Sequence, residues 1–177
     1  MGEPMISRPI LLNALLFQLG WFACVMGGNN AALLALVLVW ALHFRFVSQN
    51  LREWCMVLAI AALGVAIDTL LLGLGILDRT DGTLLPPLWL MALWGIFATT
   101  LNHCLSWLHG RGWASLACGA LAGPASYYSG TQLNPQIELG APLWQSLMVL
   151  AVVWSLLLYQ LTRLQWRHWI EGQGVAP

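Results

Sequence analysis

Asp68 is the residue most suited to chemistry, because it lies alone inside an unbroken apolar run, Ile60-Ala-Ala-Leu-Gly-Val-Ala-Ile-Asp68-Thr-Leu-Leu-Leu-Gly-Leu-Gly-Ile76. A carboxylate in hydrocarbon costs several kcal/mol and is kept only with a partner or a task. Tyr127 could act with it as acid or base, and His103 is the other residue able to exchange a proton. These three are the catalytic candidates; Gln18, Trp94, Thr99, Asn102 and Ser126 are the ligand-binding candidates. His43, His103, His109 and His168 form no HxxxH or HExxH pair, so no metal site is expected. No cofactor motif is read either. Cys24, Cys55, Cys104 and Cys118 contain no CxxC pair and imply no disulfide framework.

The elements that must position these residues follow from composition. Hydrophobic residues make up 59% of the 177-residue chain and charged residues 8%, with no lysine. A soluble domain carries about 25% charged residues, so a single polytopic membrane domain over residues 1–177 is expected. The zero net charge leaves no basic surface for nucleic acid. An all-α bundle of about six spans is predicted, over residues 9–27, 30–46, 54–76, 86–108, 112–133 and 141–163. The turn Gly27-Gly28-Asn29-Asn30 makes the first two an antiparallel hairpin. Arg8, Arg45, Arg52, Arg111, Arg163 and Arg167 then share one side, leaving Arg79 on the other, which places both termini in the cytoplasm. The first span follows Arg8 but lacks a cleavage pattern and reads as an uncleaved helix.

Depth along the spans sorts the polar residues into two layers. At ~1.5 Å rise per residue, Asp68, Trp94, Ser126 and Tyr127 lie ~21 Å from the cytoplasmic ends. Asn13, His43, Asn102 and His103 lie ~5 to 10 Å in, with Gln18 and Thr99 at ~14 Å. On this count Asp68 and His103 are too far apart to form a dyad unless a helix is broken. Gly64, Asp68, Leu71 and Gly75 share a face, as do Gly95, Thr99, Asn102 and Ser106, while Ser115, Gly119 and Gly123 make a small-residue stripe suited to tight helix pairing. Pro124 is expected to kink the fifth span beside Ser126 and Tyr127. Packing alone would account for the stripes and interhelical hydrogen bonding for the polar face.

Of the eleven tryptophans, Trp54, Trp107, Trp113, Trp166 and Trp169 fall at the inner interface and Trp89 and Trp144 at the outer one. Trp21, Trp40, Trp94 and Trp154 lie deeper, where an indole N–H needs a polar partner. His109 and His168, beside Arg111 and Arg167, read as headgroup contacts.

Three segments carry a resemblance: Leu16-Phe-Gln-Leu-Gly-Trp-Phe22, the run from Leu85 to His103, and Gly119-Ala-Leu-Ala-Gly-Pro-Ala-Ser-Tyr-Tyr-Ser-Gly130. Together they resemble DUF2878, a family of small bacterial inner-membrane proteins of unknown function. The resemblance implies a multi-pass protein of the bacterial inner membrane. It also implies a lipid context, since members are often encoded near cyclopropane-fatty-acid synthase-like and other lipid-modifying enzymes. It carries over no catalytic residue. Tryptophan-rich sensory proteins are similar in size and tryptophan content but have five spans and different motifs. Substrate-binding subunits of energy-coupling-factor transporters are similar in architecture only. Three roles stay open: an accessory factor or enzyme of lipid modification, a small-molecule or proton-coupled carrier with Asp68 as protonation site, and a structural partner of another membrane protein. Membrane lipids are the expected partners.

Overall fold

The computed structural model describes residues 8–172, and of Leu51 and residues 165–172 the backbone only. The interfacial roles expected of Trp166, Arg167, His168 and Trp169 lie outside the described side chains. The elements in chain order are α1 (Arg8–Phe46), α2 (Leu51–Gly73), β1 (Leu77–Arg79), α3 (Leu88–Ala98), a 3-10 turn (Ser106–Leu108), α4 (Gly112–Leu133), β2 (Ile137–Leu139) and α5 (Leu143–Gly172).

The first element is two arms folded on each other. Gly28 adopts φ 67°, ψ −168°, a backbone region essentially reserved for glycine. Its effect is visible 15 residues to either side, where Asn13 Nδ2 lies 3.3 Å from His43 Nδ1. A straight helix would hold those residues about 45 Å apart. The expected hairpin is therefore present, with its apex at Gly28.

Among the described residues, three helices are long and apolar enough to cross a bilayer: Arg8–Phe46, Arg52–Gly73 and Leu143–Leu164. The α2 helix starts at Asn50, whose side chain accepts from Arg52 N at 2.9 Å, an N-cap worth about 1 kcal/mol. The helix ends at Gly73, so Gly75 lies beyond it in a turn with φ 67° and does not share a helical face with Asp68.

The fourth expected span is corrected. Only Leu88–Ala98 is helical, and residues 99–108 continue as turns. The Thr99 and Thr100 hydroxyls donate to the carbonyls of Ile96 (2.8 Å) and Phe97 (2.6 Å). Their amides also bond three residues back, at 3.2 and 2.9 Å. Threonine hydroxyls competing for helix carbonyls in this way tighten and end a turn. Non-helical backbone in an apolar interior needs protein groups to satisfy it, and Thr99, Thr100 and Leu101 are all buried.

Behind this segment, α4 and α5 form a close pair. A Cβ on Gly119 would sit 2.3 Å from the Trp154 carbonyl oxygen, so this part of the small-residue stripe does bring two backbones together. Ser115 Oγ and Thr162 Oγ1 are 2.9 Å apart across the pair, and Ser155 Oγ donates to Leu116 O at 2.7 Å. The α4 helix runs on through Pro124.

A second departure from an all-α chain is a small antiparallel ribbon. Leu77 pairs with Leu139 and Arg79 with Ile137. Leu77 and Ile137 point into the core while Asp78 and Glu138 face out, the period of two expected of a ribbon with one covered face. At the same end of the bundle, Asn134 Nδ2 donates to Val25 O at 3.1 Å and Trp89 N to Asn29 Oδ1 at 3.1 Å. These bonds tie the α1 apex to the start of α3 and the end of α4.

Candidate functional site

Asp68 is fully buried, and both its oxygens are taken. Trp94 Nε1–H donates to Oδ2 at 2.6 Å and the Tyr127 hydroxyl donates to Oδ1. The carboxyl thus joins α2, α3 and α4. Trp94 fits because Gly64 faces it: a Cβ there would lie 1.9 Å from the indole Cδ2. The other face of Trp94 stacks on Trp154 with centroids 5.0 Å apart and planes at 9°. Ser126, the fourth residue of this layer, accepts from Trp21 Nε1 at 3.0 Å. Trp40 Nε1 donates to Gly95 O at 3.0 Å and Trp154 hydrogen-bonds Tyr127, so each of the four deep indoles has a polar partner.

Asp68→Leu would strand the Trp94 and Tyr127 donors. Stability should fall by about 2–6 kcal/mol, at 1–3 kcal/mol per buried unsatisfied group. Asp68→Asn should cost about 1 kcal/mol or less, since its oxygen can accept from Trp94 while its amide donates to the Tyr127 oxygen. Thermal unfolding in detergent separates the two. Equal losses for both variants would mean that charge, not hydrogen bonding, holds the triad.

A cleft opens beside this triad, walled by Trp21, Trp89, Trp94, Phe97, Tyr127 and Trp154. Its cavity volume is about 50 Å³, room for several water molecules at about 10–15 Å³ each. Trp89 is 2% exposed, and its Nε1–H has no partner among the described residues. A buried indole usually finds one.

The second cluster gathers around a residue missing from the expected sites, Glu53. Its Oε1 lies 3.1 Å from His43 Nε2 and 2.7 Å from His103 Nε2. Glu53 sits in the first turn of α2, three residues after Asn50, where an acidic side chain reads as a capping group or dipole partner. That disguised it. The break after Ala98 carries His103 to the carboxylate.

Asn13 braces this arrangement. Its Nδ2 donates to Thr99 O at 3.1 Å, and its Oδ1 accepts from Cys104 N at 3.1 Å. Both are backbone groups of fixed polarity, so the amide orientation is settled. The second Nδ2 proton then faces His43 Nδ1, which must be an acceptor, and the His43 proton sits on Nε2 pointing at Glu53.

The three donor atoms lie within 4.8 Å of one another, a spacing that would suit a shared metal ion. The surrounding bonds do not fit one. Metal on His43 Nε2 would move the ring proton to Nδ1, against the Asn13 amide, whereas a ligating imidazole normally donates from its other nitrogen to an acceptor. Turning the amide over would set its oxygen against Thr99 O and its NH₂ against Cys104 N–H.

Among the other expected ligand residues, Thr99 spends its hydroxyl on Ile96 O, and Asn102 Nδ2 lies 3.3 Å from Met56 Sδ. Gln18 is exposed, makes no hydrogen bond among the described residues, and joins neither cluster. Asp68 and His103 belong to separate clusters, with separate partners.

Apolar helices of crossing length, packed around buried polar clusters, are compatible with a helical membrane protein. Residues 10–159 match the family described as "Protein of unknown function (DUF2878)", and the chain belongs to that family. No curated protein and no solved structure matches the chain.

Proposed function

We propose that this protein holds a lipid acyl chain in the aromatic cleft, as an accessory factor or enzyme of membrane-lipid modification in a bacterial inner membrane. The observation that carries this reading is the cleft itself: an apolar, aromatic hollow with one buried, unpartnered indole donor, Trp89 Nε1–H. An acyl chain fills such a wall, and its ester carbonyl supplies the missing acceptor. Asp68 acts here by fixing Trp94 and Tyr127, two residues of the cleft wall.

The membrane arrangement belongs to the same proposal. The two arms of α1, then α2, the α3 segment, α4 and α5 make six passes with both termini cytoplasmic. The arginine distribution supports it, as does the gathering of the Gly28 apex, Asn29, Trp89 and Asn134 at one end. With Thr80→Cys in a cysteine-free background, an impermeant thiol reagent should label intact cells from outside; labelling only after lysis would reverse the orientation.

The binding test uses the full chain in nanodiscs containing a phospholipid with a diazirine in its acyl chain. Irradiation should label Leu90, Leu93 or Thr131 in the cleft. Trp89→Phe keeps the ring and removes the donor, and should lower that labelling several-fold, matching about 1 kcal/mol for one hydrogen bond. Labelling confined to outward residues such as Leu34 and Val37 would reject the cleft as a lipid site.

A further inference from the structure

The His43–Glu53–His103 cluster lies outside the cleft, and its bonding pattern gives it a capacity of its own. Both imidazoles point Nε2 at the same carboxylate oxygen. We propose that this cluster is a membrane-embedded proton-binding site that takes up one proton, on His103 Nδ1, with Glu53 as its positioning residue.

Three observations carry the proposal. The first is charge. With Glu53 ionised and both rings neutral, the cluster holds one buried negative charge. Among the described residues its ion-pair partners are only the two histidines. Exposed Arg45 and Arg52 stand on the same helices without pairing to it, and Ser48 adds a neutral hydroxyl beside the carboxylate. A buried charge without compensation is costly, and one added proton makes the cluster neutral.

The second is selection between the rings. Asn13 donates to His43 Nδ1, so that nitrogen has no room for a proton without breaking the amide's two backbone bonds. His43 is held as the neutral Nε2–H form. The third is access. His103 Nδ1 has no partner among the described residues, and its side chain is 17% exposed, against 0% for His43 and 7% for Glu53. The carboxylate holding Nε2–H leaves the opposite nitrogen free as the base, the same division of roles found in carboxylate-oriented catalytic histidines. Binding is then a simple transfer: a proton from water adds to the Nδ1 lone pair, and imidazole becomes imidazolium against Glu53. The neighbouring thiol of Cys104 is the other titratable group on this segment; from α1 and α2 the facing groups are His43 and Glu53.

The experiment is nitrogen NMR of the full chain in nanodiscs with ring-labelled histidine, His109 and His168 being assigned by substitution. As the pH is lowered, His103 should pass from the Nε2–H form to the doubly protonated ring while His43 stays in the Nε2–H form throughout. In Glu53→Gln the orienting charged acceptor is gone, so the neutral His103 ring should no longer hold its proton on Nε2 alone. The wild-type tautomers alone decide the matter if that variant does not fold. A titrating His43, a His103 carrying its neutral proton on Nδ1, or loss of both Nε2 protons when Zn²⁺ is added would overturn the proposal, the last in favour of a metal centre.

Discussion

Asn13→Leu is expected to be the most damaging single polar substitution in this chain. The leucine fills similar space but leaves three groups without partners at once: the buried Thr99 C=O and His43 Nδ1 and the partly buried Cys104 N–H. At about 1–3 kcal/mol for each buried unsatisfied group the loss is about 3 kcal/mol or more, a large share of the roughly 5–15 kcal/mol that holds a domain folded. The expected result is a fall in detergent Tm large enough to remove most folded protein from a purification. Asn13→Gln keeps the amide but misplaces it by one methylene and should recover only part of the loss. If Asn13→Leu unfolds at the wild-type temperature, the turns after Ala98 do not depend on α1.

Gly119→Leu should be about as severe for a steric reason. The new Cβ would meet the Trp154 carbonyl oxygen at 2.3 Å, its carbon at 2.7 Å and Ser155 Cα at 2.8 Å, all backbone atoms that no rotamer change can move. Overpacking usually costs about 1–3 kcal/mol. Here α4 and α5 must separate, breaking the Ser115–Thr162 and Ser155–Leu116 bonds as well, so a loss at or above the top of that range is expected in thermal unfolding. Gly73→Leu, at a position with nothing within 4 Å, is the control and should unfold near the wild-type temperature. Equal behaviour of the two variants would show that the α4–α5 approach is looser than these distances.

How much of this was legible in the sequence depends on the range of the interaction. The Gly28 reversal was legible because two glycines and two asparagines leave few other conformations. The meeting of Asp68, Trp94 and Tyr127 was legible because helical rise is constant and depth can be counted. The α3 break was not. Thr99, Thr100, Asn102 and Ser106 read as a polar stripe on a continuing helix, and the groups that stabilise the break come from Asn13, 86 residues before Thr99. Glu53 is inconspicuous in the sequence because the first turn of a helix is an ordinary place for an acid. The β1–β2 pair was too short to show alternation, each strand having three residues.

The dependence of the α3 break on Asn13 also has a direction in time. A chain made from its N-terminus has its early segments available first, so the α1 hairpin can be in place, its Asn13 amide waiting, before Thr99 and Cys104 emerge. The turns that carry His103 to Glu53 would then be moulded on an existing surface during insertion. A circular permutation that delivers α1 last would have to leave those backbone groups bare in the interval.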